Sequence, residues 1–224
     1  MQLRRLFPDS ATTTVAEAAS GLGFGDRAPA DRPYIAVNMV SSADGKATVA
    51  GRTAPMSAEA DRELFHHLRT QADGILVGAG TVRIERYGRV TKNAGLQAKR
   101  EQEGVRPDAL AVIVSRSGQL PGDLPLLVDA GDSVRIVPDL ADGLAALRKE
   151  GVRSLLCEGG PTLNSTLFSQ GLADELFLTV APTVAGAGET LTIVEGAALP
   201  DAVGLELLTV HEAGGHLFLR YRVG

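Results

Sequence analysis

The sequence predicts an α/β domain whose mostly parallel sheet ends in antiparallel strands, and three observations carry this. From Tyr34 onward strand-like and helix-like segments alternate. The run Ala109-Leu110-Ala111-Val112-Ile113-Val114 is apolar without alternation, as in a strand buried on both faces at a sheet centre. The tail holds three strand-like runs, Glu175 to Val184, Leu205 to His211 and His216 to Val223, with no helix signal between them. Gly214-Gly215 between the last two signals a hairpin turn.

Each element has its own warrant. Residues 1–31, rich in Ala, Thr and Gly, read as an N-terminal arm with a short helix over Val15 to Ala19, ahead of one domain over 32–224. Tyr34 to Val40 is a β-rich run, followed by a loop from Ser41 to Met56 that holds Asp44-Gly45 and Gly51. Ser57 is placed to cap a helix to about Ala72, with Glu59 and Asp61 in its first turn, where the helix dipole favours acids. Leu64, Phe65, Leu68 and Ala72 form its apolar stripe. Gly74-Ile75-Leu76-Val77 is a short buried strand, and Gly78-Ala79-Gly80-Thr81 turns it into another short helix. Lys92 to Asp108 is polar and loop-like, and weaker strands are expected near Leu126 to Val128 and Val134 to Val137. Pro138 opens a helix over Asp139 to Glu150 that Gly151 stops. Ser154-Leu155-Leu156-Cys157 is the next strand, and Gly159-Gly160-Pro161 leads into a helix ending near Gly171.

Composition excludes several function classes. Hydrophobic residues make up 44% and charged residues 22%, the balance of a globule and not of a disordered tail. No apolar stretch reaches spanning length, and the basic start Met1 to Pro8 lacks the apolar core of a signal peptide, so a cytoplasmic address without membrane association is expected. A net charge of −5, scattered basic residues and 4% aromatics without tryptophan argue against nucleic acid as a partner. A small anionic ligand met by a few local cations is still compatible. The single cysteine, Cys157, excludes an internal disulfide, a cysteine-built zinc site and a thiol redox pair, and reads as core filler. No metal site is expected. His66 and His67 lack an H-E-x-x-H partner, His211 and His216 read as surface residues, and no serine lies in a G-x-S-x-G elbow. The apolar C-terminal strands predict a homodimer.

Two strand-to-helix junctions are glycine-rich, Gly78-Ala79-Gly80-Thr81 and Gly159-Gly160-Pro161-Thr162. Glycine lets backbone N–H groups approach an anion, and open α/β sheets bind ligands at the C-terminal ends of their strands. The first is not a Rossmann fingerprint, because Arg83 stands at its third glycine position, and no P-loop occurs. Either junction alone reads equally well as a tight turn with no ligand; two together favour a dinucleotide. Ser115-Arg116-Ser117, directly after the apolar strand, offers a guanidinium and two hydroxyls to a phosphate monoester such as the 2′-phosphate of NADPH, although a solvated turn explains it as well. Asp44 fits an Asx turn. Glu158 ends a buried strand beside a glycine pair, where a charge is costly unless paired or used.

Four blocks in order then carry a resemblance. They are Asn38-Met39-Val40-Ser41-Ser42-Ala43-Asp44-Gly45-Lys46; His66-His67-Leu68-Arg69 with Asp73-Gly74-Ile75-Leu76-Val77-Gly78-Ala79-Gly80-Thr81-Val82; Leu156-Cys157-Glu158-Gly159-Gly160-Pro161-Thr162-Leu163; and Gly171-Leu172-Ala173-Asp174-Glu175-Leu176 with Thr179-Val180-Ala181-Pro182. From about Pro33 to Val223 the chain resembles the C-terminal reductase domain of the RibD-type riboflavin-biosynthesis deaminase–reductase, which has the dihydrofolate-reductase fold. The resemblance implies NADPH as hydride donor, held by Gly78, Gly80, Thr81, Val82, Ser115, Arg116, Ser117, Gly159, Gly160, Pro161 and Thr162. It implies a substrate side formed by Asn38, Ser42, Asp44 and Glu158, with Asp44 and Glu158 as the catalytic pair. The implied reaction reduces the ribosyl group of 5-amino-6-(5-phosphoribosylamino)uracil to ribityl. Where that family often continues with D-D-P-x-L-T, this chain has Arg83-Ile84-Glu85-Arg86-Tyr87-Gly88, and Ala43 replaces a usual leucine. The family's zinc-deaminase motifs, H-A-E and P-C-x-x-C, are missing, which implies a stand-alone reductase. The competing readings are an NADPH-dependent reductase of another pterin- or pyrimidine-like substrate, and a non-catalytic NADPH-binding sensor.

Overall fold

A computed structural model describes residues 1–224 apart from Lys92, Ala187, Glu189 and Pro200. In chain order the first elements are β1 (Gln2–Phe7), β2 (Ala11–Thr14), α1 (Val15–Ala18), β3 (Tyr34–Ser42), α2 (Glu59–Leu68), β4 (Gly74–Gly78) and α3 (Ala79–Glu85). They are followed by α4 (Ala94–Gln102), β5 (Leu110–Val114), α5 (Pro125–Ala130), β6 (Val134–Val137), α6 (Leu140–Lys149) and β7 (Ser154–Cys157). The last are α7 (Pro161–Ser169), β8 (Glu175–Ala181), β9 (Leu205–Ala213) and β10 (His216–Val223). These fall into two compact units. The first comprises Met1–Ser20, Ala36–His67 and Pro161–Gly224, the second Gly21–Ile35 and Leu68–Gly160. No helix among the described residues is long and apolar enough to cross a membrane.

The second unit is built on four parallel strands in the order β7-β4-β5-β6. The inner strands β4 and β5 are short and continuously apolar because both faces are covered, and Ile75, Val77, Val82, Ile113, Leu124 and Leu126 close the core on one side. The register aligns Gly78 with Val114, and Leu76 with Cys157, so the turns after β4, β5 and β7 emerge at one edge. Helix α6 shows how sequence makes the covering layer. Asp139 caps it by accepting from Asp142 N at 2.9 Å, and Leu140, Leu144 and Leu147 recur on its buried face. Gly143 lets it lie on β6, since a Cβ there would come 2.1 Å from Val137 Cγ1.

The first unit carries strands in the order β2-β1-β9-β10-β8-β3. Only β3 and β8 pair in parallel, from Ala36 opposite Glu175 to Ser42 opposite Ala181; the others are antiparallel. Gly214 and Gly215, at φ 57° and 80°, close the hairpin of β9 and β10 in the left-handed region that glycine adopts without strain.

Several expectations are corrected. Residues 2–7 and 11–14 extend the sheet as β1 and β2, with Leu3 and Val15 buried, although the short helix after Thr14 is as expected. Residues 125–130 form helix α5 and not a strand, because Pro125 has no N–H for a ladder and suits the first turn of a helix. The segment 94–102 is helical where a loop was expected, while Lys92 lies outside the described residues. This polar helix has no strong apolar stripe. It is held by buried Arg100, which donates to the carbonyls of Arg69, of Ala72 at 2.8 Å, of Asp73 at 3.0 Å and of Arg106 at 2.8 Å. Burial lowers the Arg100 pKa to about 10. Helix α2 stops at Leu68, short of Ala72, and Ser57 donates to Asp61 Oδ2 at 2.5 Å. His211 is buried on β9, where burial and the charge of Arg5 push its pKa below 6.5. Cys157 is core, its thiol raised to about 12 by burial.

Candidate functional site

In the second unit Gly78 and Gly80, Ser115 to Ser117, and Gly159 and Gly160 follow strand ends at the same edge. Gly78 is the N-cap of α3 and supplies no side chain to cap it. Its N–H donates to Gly159 O at 2.8 Å, so the turns after β4 and β7 rest on each other. Gly159 has φ 89°, a conformation that favours glycine, and the Gly159–Gly160 peptide is cis. A Cβ on Gly160 would come 2.8 Å from Thr81 Oγ1, so a side chain there would force the Thr81 hydroxyl to move. At Gly80 an added Cβ would meet nothing within 4 Å. This helical position therefore keeps glycine beside open space, where the fold alone does not demand it.

After β5, Ser115 is buried while Arg116 and Ser117 are exposed. Ser115 Oγ and Ser117 Oγ are 3.4 Å apart, and Gln119 N donates to Ser117 Oγ at 3.3 Å. Val82 departs from expectation: its side chain is 0% exposed in the apolar core, so it anchors α3 and offers no side-chain surface to a ligand.

Glu158 is a buried and fully hydrogen-bonded acid of this unit. Its side chain is 1% exposed, and both oxygens are taken: Oε1 accepts from Arg69 Nε at 2.7 Å, and Oε2 from Arg69 Nη2 at 2.8 Å and Tyr87 Oη at 2.7 Å. The fork-to-fork geometry compensates the buried charge. Burial opposes the Arg69 charge, but the charge and hydrogen bonds of Glu158 outweigh it, so Arg69 binds its proton more firmly than usual. Burial, then the charge of Glu158, raises Tyr87 well above 10, leaving a neutral phenol that donates. Sequence reasoning missed Arg69 and Tyr87 as partners. The available signal was the rule that a buried carboxylate needs a cation, with Arg69 standing in one of the quoted blocks.

Asn38, Ser42, Asp44, Pro161 and Thr162 belong to the first unit. Asn38 is half-buried on β3, opposite Phe177 of β8. Pro161 and the exposed Thr162 open α7. Asp44 is exposed and fastens two loops: Oδ1 accepts from Ser42 Oγ at 2.5 Å and from Ala185 N at 3.0 Å, and Oδ2 from Gly186 N at 2.8 Å. Ser42 Oγ in turn accepts from Lys46 N at 2.9 Å. The Ser42 hydroxyl first, then these two backbone N–H groups, lower the Asp44 pKa to about 2. A carboxylate at that value carries no proton near neutral pH, and the bonds it accepts hold the loop after β3 to residues 185–186. Sequence reasoning missed the amides of residues 185–186, which lie 141 and 142 positions away.

Comparison with known proteins gives a consistent answer. The family described as RibD C-terminal domain matches residues 33–219. The chain is 32% identical over 191 residues to a 2,5-diamino-6-ribosylamino-4(3H)-pyrimidinone 5′-phosphate reductase of Archaeoglobus fulgidus, covering 74% of this chain and 87% of that protein. It is 28% identical over 220 residues to a protein of the same name from Methanothermobacter thermautotrophicus, covering 86% and 99%. Among solved structures, a pyrimidine reductase-like protein from Corynebacterium diphtheriae superposes with a TM-score of 0.76 at 25% identity, over 95% of this chain and 99% of that one.

Proposed function

Because the chain belongs to the family of RibD C-terminal domains, we propose that it is a reductase of riboflavin biosynthesis that converts the ribosyl group of a ribosylaminopyrimidine 5′-phosphate to ribityl with NADPH. The observation that carries this reading is the extent of the likeness: the chain spans 87% and 99% of two relatives named for such a reaction. Those relatives are named for the 2,5-diaminopyrimidinone, whereas the resemblance to the RibD reductase domain implies the uracil form. The two differ in an amino or an oxo group at position 2, and either belongs to the proposed substrate class.

The residues suit the cofactor. Gly78, Gly80 and Thr81 with Gly159 and Gly160 give a backbone-lined seat for a pyrophosphate, with open space at Gly80. Ser115, Arg116 and Ser117 suit the 2′-phosphate. Pro161 and Thr162 begin α7 directly after the second glycine turn. When bound, the nicotinamide supplies a hydride to C1 of the opened sugar. The chain's own part is orientation, which supplies much of the rate in such a transfer. Glu158, fixed by Arg69 and Tyr87, holds the strand end from which the second glycine turn departs. Asp44 holds the loop that we assign, with Asn38 and Ser42, to the substrate. We also retain a cytoplasmic homodimer, formed through the C-terminal strands where Leu205 and Leu217 are exposed.

The test is NADPH oxidation with the diaminopyrimidinone, the aminouracil and dihydrofolate. Oxidation with a ribosylaminopyrimidine phosphate and none with dihydrofolate is the expected result. Turnover of dihydrofolate alone would favour the second reading, a reductase of another pterin- or pyrimidine-like compound, for which the divergent residues 83–88 leave room. No oxidation with any of the three would sink both.

A further inference from the structure

Arg83 occupies the position where a dinucleotide-binding pattern has its third glycine, and the cofactor residues named so far do not include it. It lies on the exposed face of α3, the helix that follows the first glycine turn. Its Nη2 donates to the carbonyl of Gln119 at 3.3 Å. Ser115 Oγ reaches the same carbonyl at 3.5 Å, and Gln119 N donates back to Ser117 Oγ at 3.3 Å. Gly118, at φ +65°, makes this return possible. The side chain of Arg83 is thus carried from the turn after β4 to the turn after β5.

Arg116 is exposed in that second turn and makes no hydrogen bond or ion pair among the described residues. A guanidinium has five donors in a rigid fork, and Arg83 spends one of them on Gln119. The turn after β5 thus carries Arg116 and two serine hydroxyls, and Arg83 of the neighbouring helix reaches its Gln119 carbonyl, in a chain whose net charge is −5. That donor set matches a doubly charged phosphate monoester, which offers three acceptor oxygens, and a neutral ribose hydroxyl would use little of it.

We propose that Arg83 is a specificity-determining residue of this chain, the second cation beside Arg116 in a seat for a ribose phosphate monoester, here the 2′-phosphate of NADPH. The proposal rests on the cofactor reading above and adds to it a residue from the divergent segment 83–88. Titration of adenosine 2′,5′-bisphosphate and of adenosine 5′-monophosphate into the full chain reads the seat without turnover. The bisphosphate should bind the wild-type chain more tightly by roughly tenfold to a hundredfold, the worth of one or two charge-assisted contacts. Arg83→Ala should weaken the bisphosphate by about tenfold and leave the monophosphate and Tm unchanged, since the side chain is exposed. Arg83→Lys should recover only part of the loss, because it restores charge without the fork. Wild-type bisphosphate affinity in Arg83→Ala would overturn the proposal and leave the cofactor reading standing. Equal losses for both nucleotides would overturn it too, by placing Arg83 on their shared part. A wild-type chain that binds neither nucleotide nor NADPH would overturn the cofactor reading together with the proposal.

Discussion

At the scale of the residue, one carboxylate serves the fold and one glycine is kept where the fold alone does not call for it. Asp44 accepts from one hydroxyl and two backbone N–H groups, so its acceptor-only character matters more than its size. Asp44→Asn turns one oxygen into an NH2 facing a donor, and the variant should melt below wild type at neutral pH. The folded carboxyl sits at about 2 against an ordinary 3.8, so its contribution is fully present above about pH 4 and is lost as pH falls through that window towards 2. The difference in Tm should therefore shrink on acidification below about pH 4; thermal unfolding across pH checks this, and a constant gap would contradict it. Gly80 poses the opposite question. Alanine fits there sterically and should stabilise the helix by roughly 0.5–1 kcal/mol. If the open space receives the cofactor, Gly80→Ala should raise Tm while weakening NADPH. A titration showing unchanged NADPH affinity would remove Gly80 from the seat.

At the scale of the element, the N-terminal segment shows how a weak sequence signal becomes firm structure. Strand β1 pairs with β2 on one side and β9 on the other, and its entry into α1 is fixed by a reciprocal cap. Thr14 Oγ1 accepts from Glu17 N at 3.1 Å, and Glu17 Oε2 accepts from Thr14 N at 2.8 Å. A four-residue helix has almost no propagation energy, so the cap and buried Val15 hold it. Thr14→Ala should cost about 1 kcal/mol, or about 2–4 °C in Tm, with NADPH affinity unchanged. A Tm equal to wild type would show that strand pairing alone suffices. Helix α4 shows the same physics in reverse. Its tie is one buried arginine donating to four backbone carbonyls, an interaction with no periodicity and hence no trace in a hydropathy pattern.

At the scale of the whole molecule, ligand binding and folding are linked. A cofactor that binds only the folded chain adds about 2.7 kcal/mol at a concentration one hundred times its Kd, a rise of roughly 5–10 °C in Tm for a chain of this size. NADPH should produce that shift and NADH a smaller one at equal concentration; equal shifts from the two would count against a 2′-phosphate seat. The sequence by itself determined the parallel strands, the C-terminal hairpin, the three turns at the strand ends and the family, because these depend on local signals: continuous apolar runs, glycine where φ is positive, short motifs in fixed order. Only the tertiary structure decided what the polar side chains do. Glu158 was legible as a costly buried charge, but its pairing with Arg69 and Tyr87 spans 89 and 71 positions. The amides that hold Asp44, the Gln119 carbonyl that turns Arg83 towards Ser115, and the burial of His211 are likewise contacts between distant segments. A hydrogen bond forms between atoms that folding brings within about 3 Å, and separation along the chain carries no record of that distance.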